Sequence, residues 1–208
     1  MPRASNPVRA ALRVSPAPTN TCGSAPEGGV GDGKGRVFIN IEDKNAIDVV
    51  DLKTMKVTAT WKIEVCDGPT GIAFDAKSNR IFAGCSKKSV VVDAANGKVV
   101  ADITNGDGVD ALGYDATEKL LYLPAGREGN VTVVHQDSPD KYSVKEVVKT
   151  LAGAKTIAVD DVKHRAYVFT LEYGPAPAPA PAAQPAGRGG RGGPRGPVVG
   201  AWFITVSH

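Results

Sequence analysis

The chain has 208 residues, of which 42% are hydrophobic and 23% charged, with 24 Gly, 15 Pro and 3 Cys. This length is enough for one domain with its own core, or for two small ones. No stretch of eighteen or more residues is continuously apolar, which excludes a membrane-spanning helix.

The positive charge is concentrated at the two ends of the chain. The formal net charge is +3, yet residues 1–25 and residues 174–208 each contain three Arg and no acidic residue. Without those six Arg, the acidic residues outnumber the basic ones in the segment between. Nucleic-acid binding calls for a basic stripe on a folded surface, so this distribution argues against a dedicated nucleic-acid-binding body.

Residues 1–25 share no pattern with the rest of the chain and are predicted to be a disordered leader. They contain Arg but no apolar block of seven or more residues, so no signal peptide is visible. The segment Val8–Ser15 is the one part of this leader that could add a strand to the folded body.

A repeat begins after the leader. Each copy has a short apolar run that ends in Asp, and a second apolar strand starts four or five positions later. The spacings between the Asp residues are 43, 40 and 45 residues, and the four positions are Asp32, Asp75, Asp115 and Asp160. Because this Asp recurs in every copy, a turn-capping role explains it better than catalysis does.

A third and a fourth strand follow in the same order. The third strands are predicted to end near Asp51, Asp93, His135 and Ser207, the last of them after a long interruption. Fourth strands follow in the first three copies. The polar residues His135, Asp137 and Asp140 are predicted to lie in a widened hairpin turn between the third and fourth strands of the third copy.

Four short strands per 40 to 45 residues, rich in Val and Ile and without a 3.6-residue period, predict an all-β fold of the β-propeller type. One such sheet cannot bury both of its faces alone, whereas stacking the sheets around an axis buries them. The predicted blades occupy residues 26–173, and residues 198–208 supply the last strand.

The repeat resembles the YVTN-type β-propeller family. The matching elements are Arg80-Ile81-Phe82, Ser89 to Asp93, Gly97 to Val100, and Gly68 to Ala73. The resemblance implies a propeller of about seven four-stranded blades with a periplasmic or extracellular binding role. It carries little information about the ligand, because unrelated functions share such folds.

The chain holds fewer blades than that family implies, namely three full units and three strands of a fourth. It therefore corresponds to the C-terminal part of a longer propeller, as an open ring of about 3.5 to 4 blades, or to a small closed ring of four. An open ring leaves two apolar blade faces exposed, so self-association through these faces is expected.

The last blade is interrupted by residues 174–197, which are rich in Pro, Ala, Gly and Arg. This composition predicts a disordered insert with no core of its own. Its Arg-Gly segment resembles RNA-binding RGG segments. However, it lacks the aromatic residues on which bases would stack, so nucleic-acid binding remains only a secondary alternative.

One polar residue precedes the innermost strand of each blade. In a propeller these positions lie near the mouth of the central channel, and they form the candidate ligand-binding set. The set consists of Glu27, Thr70, Asp110 and Lys155.

These residues define two alternative functions, a non-enzymatic binding or scaffold protein and a lactonase-like hydrolase. The hydrolase would need oxygen ligands around a cation such as Ca²⁺, and the set has only two carboxylates. The binding function, without a cofactor or a catalytic residue, is therefore the first prediction, with a small molecule or a cell-surface protein as ligand.

Two cysteines flank the first hairpin of the second unit. Cys85 faces Thr70 in that hairpin, so Cys66 can reach it only if Gly68-Pro69 turns the chain back. A disulfide and two separate thiols both remain open. A disulfide would fit an oxidising compartment, in agreement with the periplasmic or extracellular location that the resemblance implies. The three His and three Cys residues lack the spacing of a zinc site.

Overall fold

The structure, a computed structural model, describes residues 25–175 and 196–207. Val8–Ser15 and the Arg-Gly segment of the predicted insert lie outside the described residues. The described chain forms four antiparallel sheets that follow one another in sequence. Its one helical element is a short 3₁₀ turn, Glu42–Lys44, and no described helix is long and apolar enough to cross a membrane.

The strands form four blades in chain order. Blade 1 contains β1 (Pro26–Gly31), β2 (Arg36–Ile41), β3 (Ala46–Asp51) and β4 (Lys56–Lys62). Blade 2 contains β5 (Ile72–Asp75), β6 (Arg80–Ala83), β7 (Lys88–Asp93) and β8 (Val99–Thr104). Blade 3 contains β9 (Gly113–Asp115), β10 (Leu120–Ala125), β11 (Asn130–Ser138) and β12 (Lys141–Lys149). Blade 4 contains β13 (Thr156–Asp160), β14 (Arg165–Tyr173) and β15 (Val198–Ser207).

Each blade is an antiparallel meander whose strands pair in sequence order. Three blades have four strands and the last has three, so β15 is an edge strand within the described residues. The predicted all-β architecture, an open partial β-propeller of 3.5 to 4 blades, is confirmed.

The recurring Asp residues hold the turn between the first and second strands. The Asp75 carboxylate accepts a hydrogen bond from the amide of Lys77, and the Asp115 carboxylate accepts bonds from Thr117 and Glu118. Asp32 and Asp160 do the same in their blades. The turn-capping role that the repeat predicts is thus confirmed.

The same turns place their last residue in the left-handed region. The residue before each second strand has a positive φ, with values of 102°, 57°, 56° and 52° at Gly35, Asn79, Lys119 and His164. Gly and Asn adopt this conformation readily, whereas Lys and His do so at a cost. The turn shape therefore belongs to the blade and overrides the preference of the individual residue.

Three apolar clusters fill the spaces between successive blades. The face that a blade turns toward the next blade in chain order is called its forward face, and the opposite face its rear face. One aromatic residue of the second strand occupies each forward face, namely Phe38, Phe82 or Tyr122, and it is at most 1% exposed. Between blade 4 and blade 1 the described residues form no such cluster, so the ring is open there.

Polar contacts join the same blade pairs near the turns. The Arg36 guanidinium donates to the carbonyl of Ala94 in blade 2 at 2.9 Å. Arg80 forms an ion pair with Asp140 of blade 3 at 2.8 Å. A forward-facing Arg at the start of the second strand thus meets an acceptor on the next blade.

Candidate functional site

The channel mouth is built from two kinds of loop, those that precede the innermost strands and those that join the second and third strands. Both lie at the same end of each meander, because an antiparallel chain returns there after every second strand. The loops of all four blades border one open cleft of about 1280 Å³. Beside it lies a smaller cleft of about 240 Å³ between the first three blades.

The structure brings the predicted binding residues together only in part. Thr70 and Asp110 line both clefts, whereas Glu27 lines only the small cleft and Lys155 only the large one. The four residues thus lie at the same end of the fold, but they do not form a single ring around one cleft.

The Asp110–Lys155 contact is the main link within the predicted set. The Lys155 Nζ lies 3.0 Å from Asp110 Oδ2, and the two side chains are 51% and 45% exposed. An ion pair this exposed stabilises the fold only weakly, so both groups stay accessible to a charged ligand.

Thr70 has a structural role in the channel wall. Its hydroxyl lies 3.0 Å from the carbonyl oxygen of Val109 and donates to it, which joins the loop before blade 2 to the loop before blade 3. The Thr70 amide donates to the carbonyl of Gly84. The hydroxyl proton is therefore already used within the protein and is not offered to a ligand.

The small cleft is narrow because the innermost strands approach each other closely around the axis. A Cβ atom added at Gly71 would lie 2.7 Å from the backbone of Ala111 and Leu112. One added at Gly28 would lie 2.7 Å from the carbonyl oxygen of Thr70. The glycines therefore allow contact between backbones, and the large cleft is the one with room for a ligand.

A disulfide joins Cys66 to Cys85 beside the large cleft, with 5.6 Å between their Cα atoms. Both residues are fully buried against the apolar cluster of blades 1 and 2. The chain turns back at Gly68, which has a φ of 61° and donates its amide to the Asn45 side chain at 3.0 Å. This is the turn that the pairing requires.

The disulfide holds two loops that carry charged side chains. These side chains were not among the residues predicted from the sequence. Asp67 directly follows Cys66, and Lys87 lies two residues after Cys85, and both line the large cleft. Both are exposed, and neither has an ion-pair partner among the described residues. Asp67 and Lys87 therefore present two opposite charges to the cleft that no described ion pair compensates.

A second ion pair at the mouth, Arg127 with Asp107 at 3.1 Å, was also missed. Both Arg127 and Lys87 lie between the second and third strands of their blades. The strand order could have revealed these residues. In an antiparallel blade, the hairpin between the second and third strands lies at the same end of the fold as the start of the innermost strand.

The predicted location of His135, Asp137 and Asp140 in one hairpin turn is wrong for two of the three. Strand β11 continues to Ser138, so His135 and Asp137 lie within it and only Asp140 lies in the turn. The imidazole Nδ1 is 2.8 Å from Asp137 Oδ1, and the hydroxyl of Ser143 donates to the same oxygen at 3.0 Å. The hydrogen bonds from His135 and Ser143 lower the pKa of Asp137. This group lies on the outer strands, away from the clefts.

A buried polar network lies between blades 2 and 3. The Gln136 amide donates to Asp75 at 3.2 Å and to the Tyr142 hydroxyl at 3.1 Å, while it accepts from the Tyr114 hydroxyl at 2.7 Å. Burial raises the pKa of Tyr142 to about 12 and that of Tyr114 further. Both phenols therefore stay neutral, and the network acts as an inter-blade contact.

Metal ligands are sparse in the described part of the chain. Within residues 25–175 and 196–207, no group of three or more His, Cys, Asp or Glu side chains lies close enough together to hold a metal ion. Asp110, the carboxylate proposed for a cation site, is instead paired with Lys155.

Comparisons with known proteins extend the description of the fold. No protein-family model and no curated protein matches the chain. Among solved structures it is similar to Kuenenia stuttgartiensis hydrazine synthase, with a TM-score of 0.60 and 13% identity, over 77% of this chain and 44% of that one. It is also similar to a chain of the mitotic checkpoint complex, with a TM-score of 0.57 and 16% identity, over 64% of this chain and 42% of that one.

The chain spans less than half the length of either of these two proteins. At such low identity the likeness concerns the path of the backbone and carries no ligand or activity with it. The comparisons and the geometry together identify this chain as an all-β protein with the architecture of a partial β-propeller.

Proposed function

We propose that this protein is a non-enzymatic, extracytoplasmic binding protein of the YVTN type. Its ligand is a small zwitterionic molecule or short peptide, taken into the large cleft at the channel mouth. The observation that carries this proposal is the pair of uncompensated opposite charges, Asp67 and Lys87, which line one cleft on loops joined by a disulfide.

The disulfide supports the proposal in two ways. It holds the loops of Asp67 and Lys87 in place before the ligand arrives, which reduces the entropy lost on binding. Structural disulfides also persist in oxidising compartments, which supports a periplasmic or extracellular location. In this arrangement Asp67 contacts the ammonium group of the ligand and Lys87 contacts its carboxylate.

The other charges of the cleft have a secondary role. Two ion pairs, Asp110–Lys155 and Asp107–Arg127, form polar walls around Asp67 and Lys87. The acidic residues Glu42 and Asp43 also line the cleft. A ligand with a single charge would leave either Asp67 or Lys87 uncompensated, which favours one that carries both.

Calorimetric titration with triglycine, and with its acetylated and amidated form as a control, tests the proposal. We expect saturable binding of free triglycine that Asp67→Asn and Lys87→Asn each abolish, while the capped peptide does not bind. Asn is chosen at position 87 because the Lys87 backbone has a φ of 68°, which Asn tolerates.

Lys34→Gln and Asp161→Asn are the matched controls, because both residues are exposed and lie in turns at the opposite end of the blades. Equal loss of binding in the controls, or no saturable binding of the free peptide, would overturn the proposal. Saturable binding of Ca²⁺ or Mn²⁺ that is lost in Asp110→Ala, together with turnover of a lactone, would instead support the hydrolase.

A further inference from the structure

Each of the two end faces of the blade array lacks the neighbouring blade that covers the faces inside the array. Inside the array, each forward face buries an aromatic residue of the second strand against the next blade. Tyr167 of β14 holds the position in blade 4 that Phe38, Phe82 and Tyr122 hold in the other blades. It is only half-buried, whereas the other three are at most 1% exposed.

The start of β14 carries a second group of the same kind. Arg165 is equivalent to Arg36 and Arg80, since each is the first residue of its second strand. Arg36 and Arg80 both bond to the blade that follows. The Arg165 side chain is exposed, and its guanidinium has no hydrogen-bond or ion-pair partner among the described residues.

The rear face of blade 1 has apolar side chains that no preceding blade covers among the described residues. Val37 and Val50 are the equivalents of Ile81 and Val92, because both pairs face each other across the second and third strands. Ile81 and Val92 are 0% exposed, packed against the preceding blade. Val37 and Val50 are half-buried, because no described blade precedes blade 1.

We propose that these two faces bind each other between two copies of this chain. The forward face of blade 4 in each copy packs on the rear face of blade 1 in the other, so that two chains form one closed ring. Two copies supply eight sheets, which is within the range of four to eight blades that closed propellers contain.

The two end faces resemble the two sides of the interfaces between successive blades inside the chain. This likeness indicates that a second copy of the chain covers them. The forward face presents the same Arg and aromatic positions that blades 1 and 2 use to hold their next blade. The rear face offers Val37 and Val50 in the register of Ile81 and Val92. Leu52 in blade 1 is equivalent to Ala94 in blade 2, whose carbonyl oxygen accepts from Arg36. In the dimer the Arg165 guanidinium therefore donates to the carbonyl oxygen of Leu52 of the second copy.

The proposed dimer is of the head-to-tail type, which gives it a testable signature. Each of its two contacts joins one forward face to one rear face, so changing either face breaks both contacts when all copies carry the change. In a mixture of forward-face and rear-face variants, each mixed dimer keeps one intact contact.

The experiment measures the mass of the full-length chain by light scattering after gel filtration. We expect twice the mass of one chain for the wild type, and the mass of one chain for Tyr167→Asp and for Val37→Asp. An equimolar mixture of the two variants should recover the doubled mass. Val147→Asp is the control, because Val147 is 59% exposed on the outer strand of blade 3 and should not affect the dimer.

Arg165→Glu and Leu52→Arg form a second pair of variants, whose exposed positions leave the core of each blade intact. They should lower dimer affinity at least tenfold with an unchanged circular dichroism spectrum. A wild-type monomer, as would result if residues 1–24 of the same chain covered these faces, overturns the proposal. So does a dimer that only one of the two face variants breaks, or one that the mixture fails to restore.

Discussion

His164 of blade 4 contacts the buried Asp115 of blade 3, with 2.8 Å between imidazole Nδ1 and Asp115 Oδ2. The hydrogen bond that His164 donates to Asp115 is the main cause that raises the pKa of His164 above its ordinary value. Burial by itself would raise the pKa of Asp115, but the bonds from His164 and from the turn amides outweigh burial and lower it. This contact joins the turn of one blade to the turn of the next.

The stability of the protein should therefore depend on the protonation of His164. Because the folded pKa of His164 is raised, its contribution is complete below the ordinary value of 6.5 and is lost as the pH rises through the folded pKa. His164→Asn removes the imidazole but suits the φ of 52°, as Asn79 does in the equivalent turn. Urea unfolding should show a larger difference between wild type and His164→Asn at pH 5.5 than at pH 8.5.

The lowered pKa of Asp115 predicts that the ionised carboxylate stabilises the folded protein and that this stabilisation is lost in acid. Its contribution is present above the ordinary value of 3.8 and is lost as the pH falls through the folded pKa. NMR titration of Asp115→Asn should show the pKa of His164 shifted down relative to wild type. An unchanged pKa of His164 would show that the contact with Asp115 does not cause the shift.

Gly97 is predicted to tolerate no side chain. It has a φ of 78°, and an added Cβ would lie 2.2 Å from the Trp61 ring, which packs on Phe38 in blade 1. Gly97→Ala should lower the free energy of unfolding by about 2–4 kcal/mol, from backbone strain together with overpacking.

Gly33→Ala provides the control for this prediction. Gly33 has a similar φ of 69°, but nothing lies within 4 Å of the added Cβ. Its cost should be limited to the conformational part, about 1 kcal/mol. Equal losses in the two variants, measured by urea unfolding, would show that the Trp61 contact is not a factor.

Replacing Lys119 by Gly should stabilise the protein. It is exposed and has a φ of 56°, while Gly35 holds the equivalent position in blade 1. Lys119→Gly relieves the left-handed strain and should raise the free energy of unfolding by up to about 1 kcal/mol. Thr117→Gly, in the same turn but with a negative φ, should instead destabilise the protein through the added entropy of the unfolded chain. Equal loss of stability in both variants would contradict backbone strain at Lys119.

Removal of the disulfide should lower stability without unfolding the array. Cys66 and Cys85 are 19 residues apart, and closing a loop of that length in the unfolded chain corresponds to about 3 kcal/mol. The double variant Cys66→Ala, Cys85→Ala should lose about that much in urea unfolding. A reductant should destabilise the wild type but leave the double variant unchanged, and an equal response of both would contradict a role for this bond.

Much of the architecture could be predicted from the sequence, because short patterns of neighbouring residues specify the turns and strands. The recurring Asp with a strand start four or five residues later marks each first turn, and alternation of apolar residues marks the strands. These signals depend on neighbours along the chain and therefore survive without knowledge of the fold. They also predict that Thr70, Asp110 and Lys155 lie at one end of the blades, and all three line the large cleft there.

The site itself could be predicted only in part, since it depends on which loops meet. That the Thr70 hydroxyl is used by the Val109 carbonyl, and that Asp110 is neutralised by Lys155, follows from contacts between residues about 40 positions apart. Asp67 and Lys87 carry no local motif, so their shared cleft appears only once the blades are assembled.

The blade period, the turn chemistry and the number of sheets follow from the order of residues along the chain, because short-range hydrogen bonds and strand patterns specify them. The tertiary structure alone decided which charges are paired, which side of the cleft keeps uncompensated charge and which blade faces are left open. Those properties arise from burial and distance between separate blades, which no local pattern of residues records.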